Sequence, residues 1–195
     1  MSSRYFDLSD DVYLEGRWEL GHPQDAQGNE LKNPWQIFRK GRPSSWAGRV
    51  RIPIDIPGSV LDYSHASGSI PVVTSRVAAI FERLAPNDVQ LFPVDIEGQQ
   101  PDEFFILNAI RRVNCIDDVA SEQVRYWTPE DGLAEKVGTY TFVWGMRIDA
   151  TRLGSARVFR PLHWEVVLVI PEDIKLALES IGATGVWFKD VSPLR

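Results

Sequence analysis

The sequence predicts an α+β fold: a mixed or mainly antiparallel sheet carrying a few packed helices. Three observations predict it. Short apolar runs of strand length recur, some with a period of two, as at Val50, Ile52, Ile54 and Ile56. Two segments place apolar side chains at helical spacing, first Val77, Ile80, Phe81 and Leu84, then Ile174, Ala177, Leu178 and Ile181. Strand-like runs bracket the second of these segments, the arrangement that packs a helix against a sheet.

Taken in chain order, residues 17–20 read as a strand, and 21–34 are rich in turn formers. Residues 50–56 form a half-buried strand, and Pro53 and Pro57, which cannot donate to a ladder, place it at a sheet edge. A helix over 76–85 is capped by Thr74 or Ser75 and stopped by Pro86. Residues 89–97 are apolar on both faces at the centre, so that strand is covered on both sides. Residues 103–116 read as one long, bent strand, 117–132 as a polar excursion, and 138–149 with 157–170 as a strand pair. Pro171, Glu172 and Asp173 suit a helix start, Gly182 its C-terminal cap, and 185–190 a returning strand.

A chain of 195 residues fits one domain, over 1–195, that buries a sizeable core without covalent staples. Cys115 is the sole cysteine, so no internal disulfide forms, which suits a reducing cytoplasm. The N-terminus lacks the apolar stretch of a signal peptide, and no apolar run approaches the ~20 residues of a membrane span. A cytoplasmic protein without membrane contact is therefore expected; nothing in the sequence bears on self-association.

The formal charge of −6 is unevenly placed. Between positions 95 and 135 stand ten acids and three bases; between 32 and 51 stand six bases (Lys32, Arg39, Lys40, Arg42, Arg49, Arg51) and no acid. Either run can be a plain solvated surface or can steer a charged partner.

Known catalytic patterns are missing. His22, His65 and His163 are far apart and share no close metal-ligand spacing. His163, between Leu162 and Trp164, reads as a packed strand residue. Cys115, followed by Asp117 and Asp118, lies where negative charge disfavours a thiolate and reads as a small core residue. There is no nucleophile elbow, phosphate loop or dinucleotide fingerprint. No catalytic residue, metal or cofactor is assigned. Trp35, Phe38 and Trp46 interleave with the bases of 32–51, as in a single-strand nucleic-acid groove. The pI near 5.1 and the lack of a known module make nucleic-acid binding the minor alternative.

The best candidate for a binding surface is 117–135. Asp117, Asp118, Glu122, Glu130 and Asp131 flank the aromatic pair Tyr126 and Trp127, in a long segment of the kind that carries function on a rigid scaffold. Trp127 either anchors a partner, which the surrounding acids would make basic, or pins a long loop.

Several segments resemble the eleventh immunity-protein family of bacterial polymorphic toxin systems, formerly a domain of unknown function and common in myxobacteria. They are Arg17-Trp18-Glu19-Leu20 with Pro23, Asp25 and Gly28; Ser75-Arg76-Val77 through Leu84-Ala85-Pro86; Asp88 to Val94; Phe105-Ile106-Leu107-Asn108; Cys115-Ile116-Asp117 with Ser121-Glu122; and Val158-Phe159-Arg160 through Gly185-Val186-Trp187-Phe188. The resemblance implies a non-enzymatic, cytoplasmic protein that binds and neutralises a cognate toxin in the producing cell by stoichiometric complex formation. An enzyme that reverses the toxin's modification or destroys its product, should His65, His163 and several carboxylates converge in space, is the alternative from another class.

Overall fold

Residues 50–109 dictate the main sheet. β-branched and aromatic side chains alternate there on strands apolar on both faces, which require cover on both sides. In the computed structural model, which describes residues 4–101 and 103–193, this region is a five-stranded sheet. With strands and helices numbered in chain order, β3 (Val50–Ile52), β7 (Val89–Ile96), β8 (Phe104–Ala109), β6 (Ile70–Thr74) and β5 (Tyr63–Ala66) lie side by side in that order. All pairings are antiparallel except β3 with β7. The architecture is α+β.

Period two sorts the side chains. Val73, Phe105, Leu107 and Leu91 turn to one face; Val72, Ile106, Phe92 and Val94 turn to the other. The first face receives α2 (Ser75–Leu84) and α3 (Glu172–Ser180) through Val77, Ile80, Phe81, Ile174 and Leu178. The second is closed by the loop-rich N-terminal region, through Trp18, Leu20, Leu31 and Phe38 of α1 (Pro34–Phe38). Trp18 is buried, and its indole N–H donates to Ser64 Oγ at 2.7 Å, so the polar atom is satisfied.

A smaller sheet completes the first core. β1 (Tyr5–Asp10) lies between β13 (Val169–Pro171) and β14 (Val186–Asp190), antiparallel to both. The strand–helix–strand unit expected at the C-terminus is present, but an N-terminal strand is inserted between its two strands. Gly182, at φ +61°, ends α3 as expected. Asp62 ties the two sheets together. Its buried carboxylate accepts from Arg76 at the start of α2, from Thr74 Oγ1, and from both the N–H and Oγ1 of Thr184 before β14. Burial alone would raise its pKa, but these donors hold it well below the usual carboxylate range.

A third core gathers Cys115, Ile116, Met146, Ile148, Leu153, Phe159 and Val169. Cys115 is fully buried as expected, and desolvation pushes its thiol up to about 12.

Five expectations are corrected. Residues 50–56 are two strands broken at Pro53: β3 pairs with β7 at the sheet edge, whereas β4 (Ile54–Ile56) pairs with β2 (Glu19–Leu20), leaving Ile56 exposed. Of the strand expected over 17–20, only β2 forms a ladder. Residues 103–116 divide into β8 and the short β9 (Arg112–Val113), which pairs in parallel with β12 (Arg160–Pro161). Residues 138–149 and 157–170 do not pair with each other. β11 (Tyr140–Trp144) pairs with β10 (Gln123–Tyr126), so the polar excursion contains a strand. His163 is an exposed turn residue at φ +67°, which no strand accommodates.

Candidate partner-binding surface

The surface is built on the β10–β11 hairpin. Asp117 makes its entry turn: Oδ1 accepts from the N–H groups of Val119 and Ala120, and the backbone carbonyl accepts from the N–H and Oγ of Ser121. Asp118 accepts from the hydroxyls of Tyr126 and Tyr140, the latter at 3.0 Å, and the two rings lie 4.8 Å apart. Burial and the negative acceptor both raise the pKa of Tyr140. These two acids therefore fix the shape of the hairpin. Val124, Val143 and Tyr140 pack its inner face on the third core, while Arg125, Phe142 and Trp144 face outward.

The strand register shifts between Arg125 and Tyr126, and Trp127 follows at the hinge. Its N–H donates to the Thr139 carbonyl at 2.9 Å and its carbonyl accepts from Gly138 N–H at 3.0 Å, closing the hairpin. Beyond it, Asp131 accepts from the N–H and Oγ1 of Thr128 in a capping box on a short 3-10 turn (Pro129–Asp131). A second such turn, Ala134–Lys136, brings Lys136 back over the Trp127 ring, 5.0 Å from its centre.

Half-buried Trp127 lines a cleft of about 520 Å³. Four cationic side chains share that lining: Arg39 and Lys40 after α1, Arg112 of β9, and Lys136. Trp164 and Glu165, from the turn after β12, also line its wall. Glu165 is the only carboxylate lining the cleft among the described residues, and it stands 3.7 Å from Arg112. Phe38, fully buried, anchors the segment that presents Arg39 and Lys40. Beneath the turn lies Arg160, 1% exposed, whose Nη1 donates to the carbonyls of Glu165 (2.9 Å) and Val167 (3.2 Å). Desolvation holds its pKa down to about 10.

A second cavity, of about 420 Å³, is lined by Asp7, Asp10, His65, Tyr13 and Trp187. Asp10 pairs with His65 Nδ1 and with Arg17, each at 2.8 Å. Against the effect of burial, those two partners hold Asp10 down to about 2. Tyr13 and Trp187 are exposed, with ring centres 6.2 Å apart. Among the described residues, no group of three or more His, Cys, Asp or Glu side chains is arranged to hold a metal ion. No helix among them is long and apolar enough to cross a membrane.

A comparison with protein-family models matches residues 11–193 to the immunity protein family Imm11. The chain belongs to the Imm11 immunity protein family. An immunity function follows from that membership. No curated protein matches the chain.

In this Imm11 chain the seven residues singled out by sequence divide into two groups. Asp117, Asp118 and Tyr126 hold the hairpin together. Glu122, Glu130 and Asp131 are exposed, and Trp127 turns toward the cleft. In sequence Trp127 lies in an acid-rich segment, but in the fold it shares its cleft with four cations. Of the interleaved basic stretch, Trp46 packs on Phe38 and Phe38 on Phe92 in the second core, and Arg49 pairs with Asp95. None of its three aromatic rings lines the cleft that Arg39 and Lys40 share. His65 and His163 line different cavities. Sequence reasoning missed the cleft, which joins residues 39, 112, 136 and 165 from separate segments, and it missed the outward aromatics Phe142 and Trp144.

Proposed function

We propose that this Imm11 chain protects a toxin-producing bacterium by binding the cognate polymorphic toxin in the cytoplasm as a one-to-one complex, without catalysis, so that sibling cells survive interbacterial competition. The hairpin and the adjoining cleft are the docking surface. The observation that carries this reading is the placement of Trp127. A large amphipathic ring stands on a backbone fixed by two hydrogen bonds at the hairpin hinge, half-exposed, beside a ready-made cleft. Rigid aromatic anchors next to a pocket are the usual centres of binding energy. Around it, exposed Glu122, Glu130 and Asp131 suit basic groups on the toxin and speed encounter.

Co-expression with the toxin encoded beside this chain tests the reading. The pair is expected to restore growth and to co-purify at equal stoichiometry. Loss of both outcomes, with both proteins soluble, contradicts it.

A further inference from the structure

We infer that the cleft beside Trp127 receives an acidic segment of the toxin, so that the docking surface reads negative charge at its centre although the chain itself is acidic. This rests on the reading of the chain as a toxin-binding protein.

Four cations against one carboxylate leave the cleft strongly positive within a chain of net charge −6. The cations come from three separate stretches, at 39–40, 112 and 136, so no single solvated charge run accounts for them. Arg39 and Arg112 offer planar forks that match a carboxylate with two parallel hydrogen bonds. The two indoles and Tyr140 supply walls that exclude water once the cleft is covered, and exclusion of water strengthens every charge pair inside.

A second observation is independent of the lining. Arg160, completely buried under the wall that carries Glu165, leaves Nε and Nη2 without a hydrogen-bond partner. It is close enough for its charge to repel that of Arg39. A buried guanidinium with two nitrogens lacking hydrogen-bond partners, offset in part by the charges of Asp7 and Glu165, adds positive charge beneath a cationic cleft and favours an anion above it. An acidic segment supplies that anion. A toxin surface that is acidic elsewhere meets the repulsion of the chain's negative outer face, so only the segment that fits the cleft is favoured, which fixes the docking orientation.

The test is a titration of purified, catalytically inactivated toxin with the full chain and with a Lys40→Glu, Lys136→Glu variant. A Lys32→Glu, Arg83→Glu variant, changed at two exposed residues outside the cleft, matches the change in net charge. Circular dichroism confirms that each is folded. The cleft variant is expected to bind about tenfold or more weakly, mainly through faster dissociation, while the matched control stays within about twofold of the parent. Equal weakening in both variants, or none in the cleft variant while the parent binds, overturns the inference and leaves the binding reading intact. Failure of the parent to bind removes the binding reading itself. ATP and a uridine 20-mer are titrated in parallel at low salt. Saturable binding of either probe that is lost in the cleft variant, with the toxin complex unaffected, assigns the cleft to a nucleotide or to RNA and also overturns the inference.

Discussion

The ammonium group of Lys136 lies 5.0 Å from the centre of the Trp127 ring, and both side chains line one cleft. The pair joins the tip of the hairpin to its hinge, so the ring is presented at a fixed angle. Trp127 belongs to none of the three apolar cores. Replacing it with Ala is therefore expected to leave the fold intact and to weaken toxin binding by about 2 kcal/mol or more, roughly thirtyfold. Calorimetric titration checks the affinity and circular dichroism the fold. A folded variant that binds as tightly as the parent removes Trp127 from the interface.

Changing Glu122 and Glu130 together to Lys, which leaves the Asp131 cap on Thr128 in place, is expected mainly to slow association and to reduce its dependence on salt, because exposed rim charges act on encounter more than on the formed complex. Stopped-flow association rates at two ionic strengths measure this. Unchanged rates place the partner away from the hairpin turn.

Asp118 organises the hairpin through two tyrosine hydroxyls. Tyr140→Phe is expected to cost about 1 kcal/mol, a fall in Tm of roughly 2–4 °C for a chain of this size. Asp118→Ala removes both contacts and is expected to increase amide hydrogen exchange over 123–144. Exchange unchanged in that segment contradicts the role.

How much of this was legible before the fold was known varies with the range of the interaction. Helices α2 and α3 were readable because Val77, Ile80 and Phe81, and Ile174 and Leu178, repeat within a few residues and all pack on one core. Strand β10 was hidden because only Val124 of its four residues packs inward, leaving a composition like that of a loop. Strand β1 carried a readable alternation, with Phe6 and Leu8 buried between Asp7 and Ser9, but its partners lie more than 150 residues away. For the site, Trp127 stood out by type, whereas Arg39, Lys40 and Arg112 could not be placed beside it, since only the tertiary fold brings them there.

The pH dependence of stability separates two carboxylates on one strand. Burial pushes Asp7 up to about 6, against the Leu168 backbone N–H and the charges of Lys189 and Arg160. Folding therefore takes up a proton at Asp7 between the ordinary carboxylate range and about pH 6. Its effect is to lower stability as pH rises through that window. Asp7→Asn is expected to raise stability at pH 7 by about 2–3 kcal/mol and to flatten the profile between about pH 4 and 6. Asp10, held down to about 2, has the opposite sign: its contribution is present above the ordinary range and is lost as pH falls toward 2. Urea melts across pH read both, and parallel profiles for parent and Asp7→Asn rule out the assignment.

Asp62 joins the two sheets through Arg76, Thr74 and Thr184. Asp62→Ala is expected to cost about 2–3 kcal/mol, since Arg76 is half-exposed and is not left as a buried charge. A loss below about 0.5 kcal/mol in a chemical melt shows that the network contributes specificity of docking and not stability.

The central claim, protection by stoichiometric binding, is tested most directly by titrating a fixed amount of active toxin with this chain and measuring residual toxin activity. Inhibition is expected to rise linearly and to end at one equivalent, with a complex that survives gel filtration. Full protection at a small fraction of an equivalent, with no lasting complex, contradicts binding and assigns the chain a catalytic role instead.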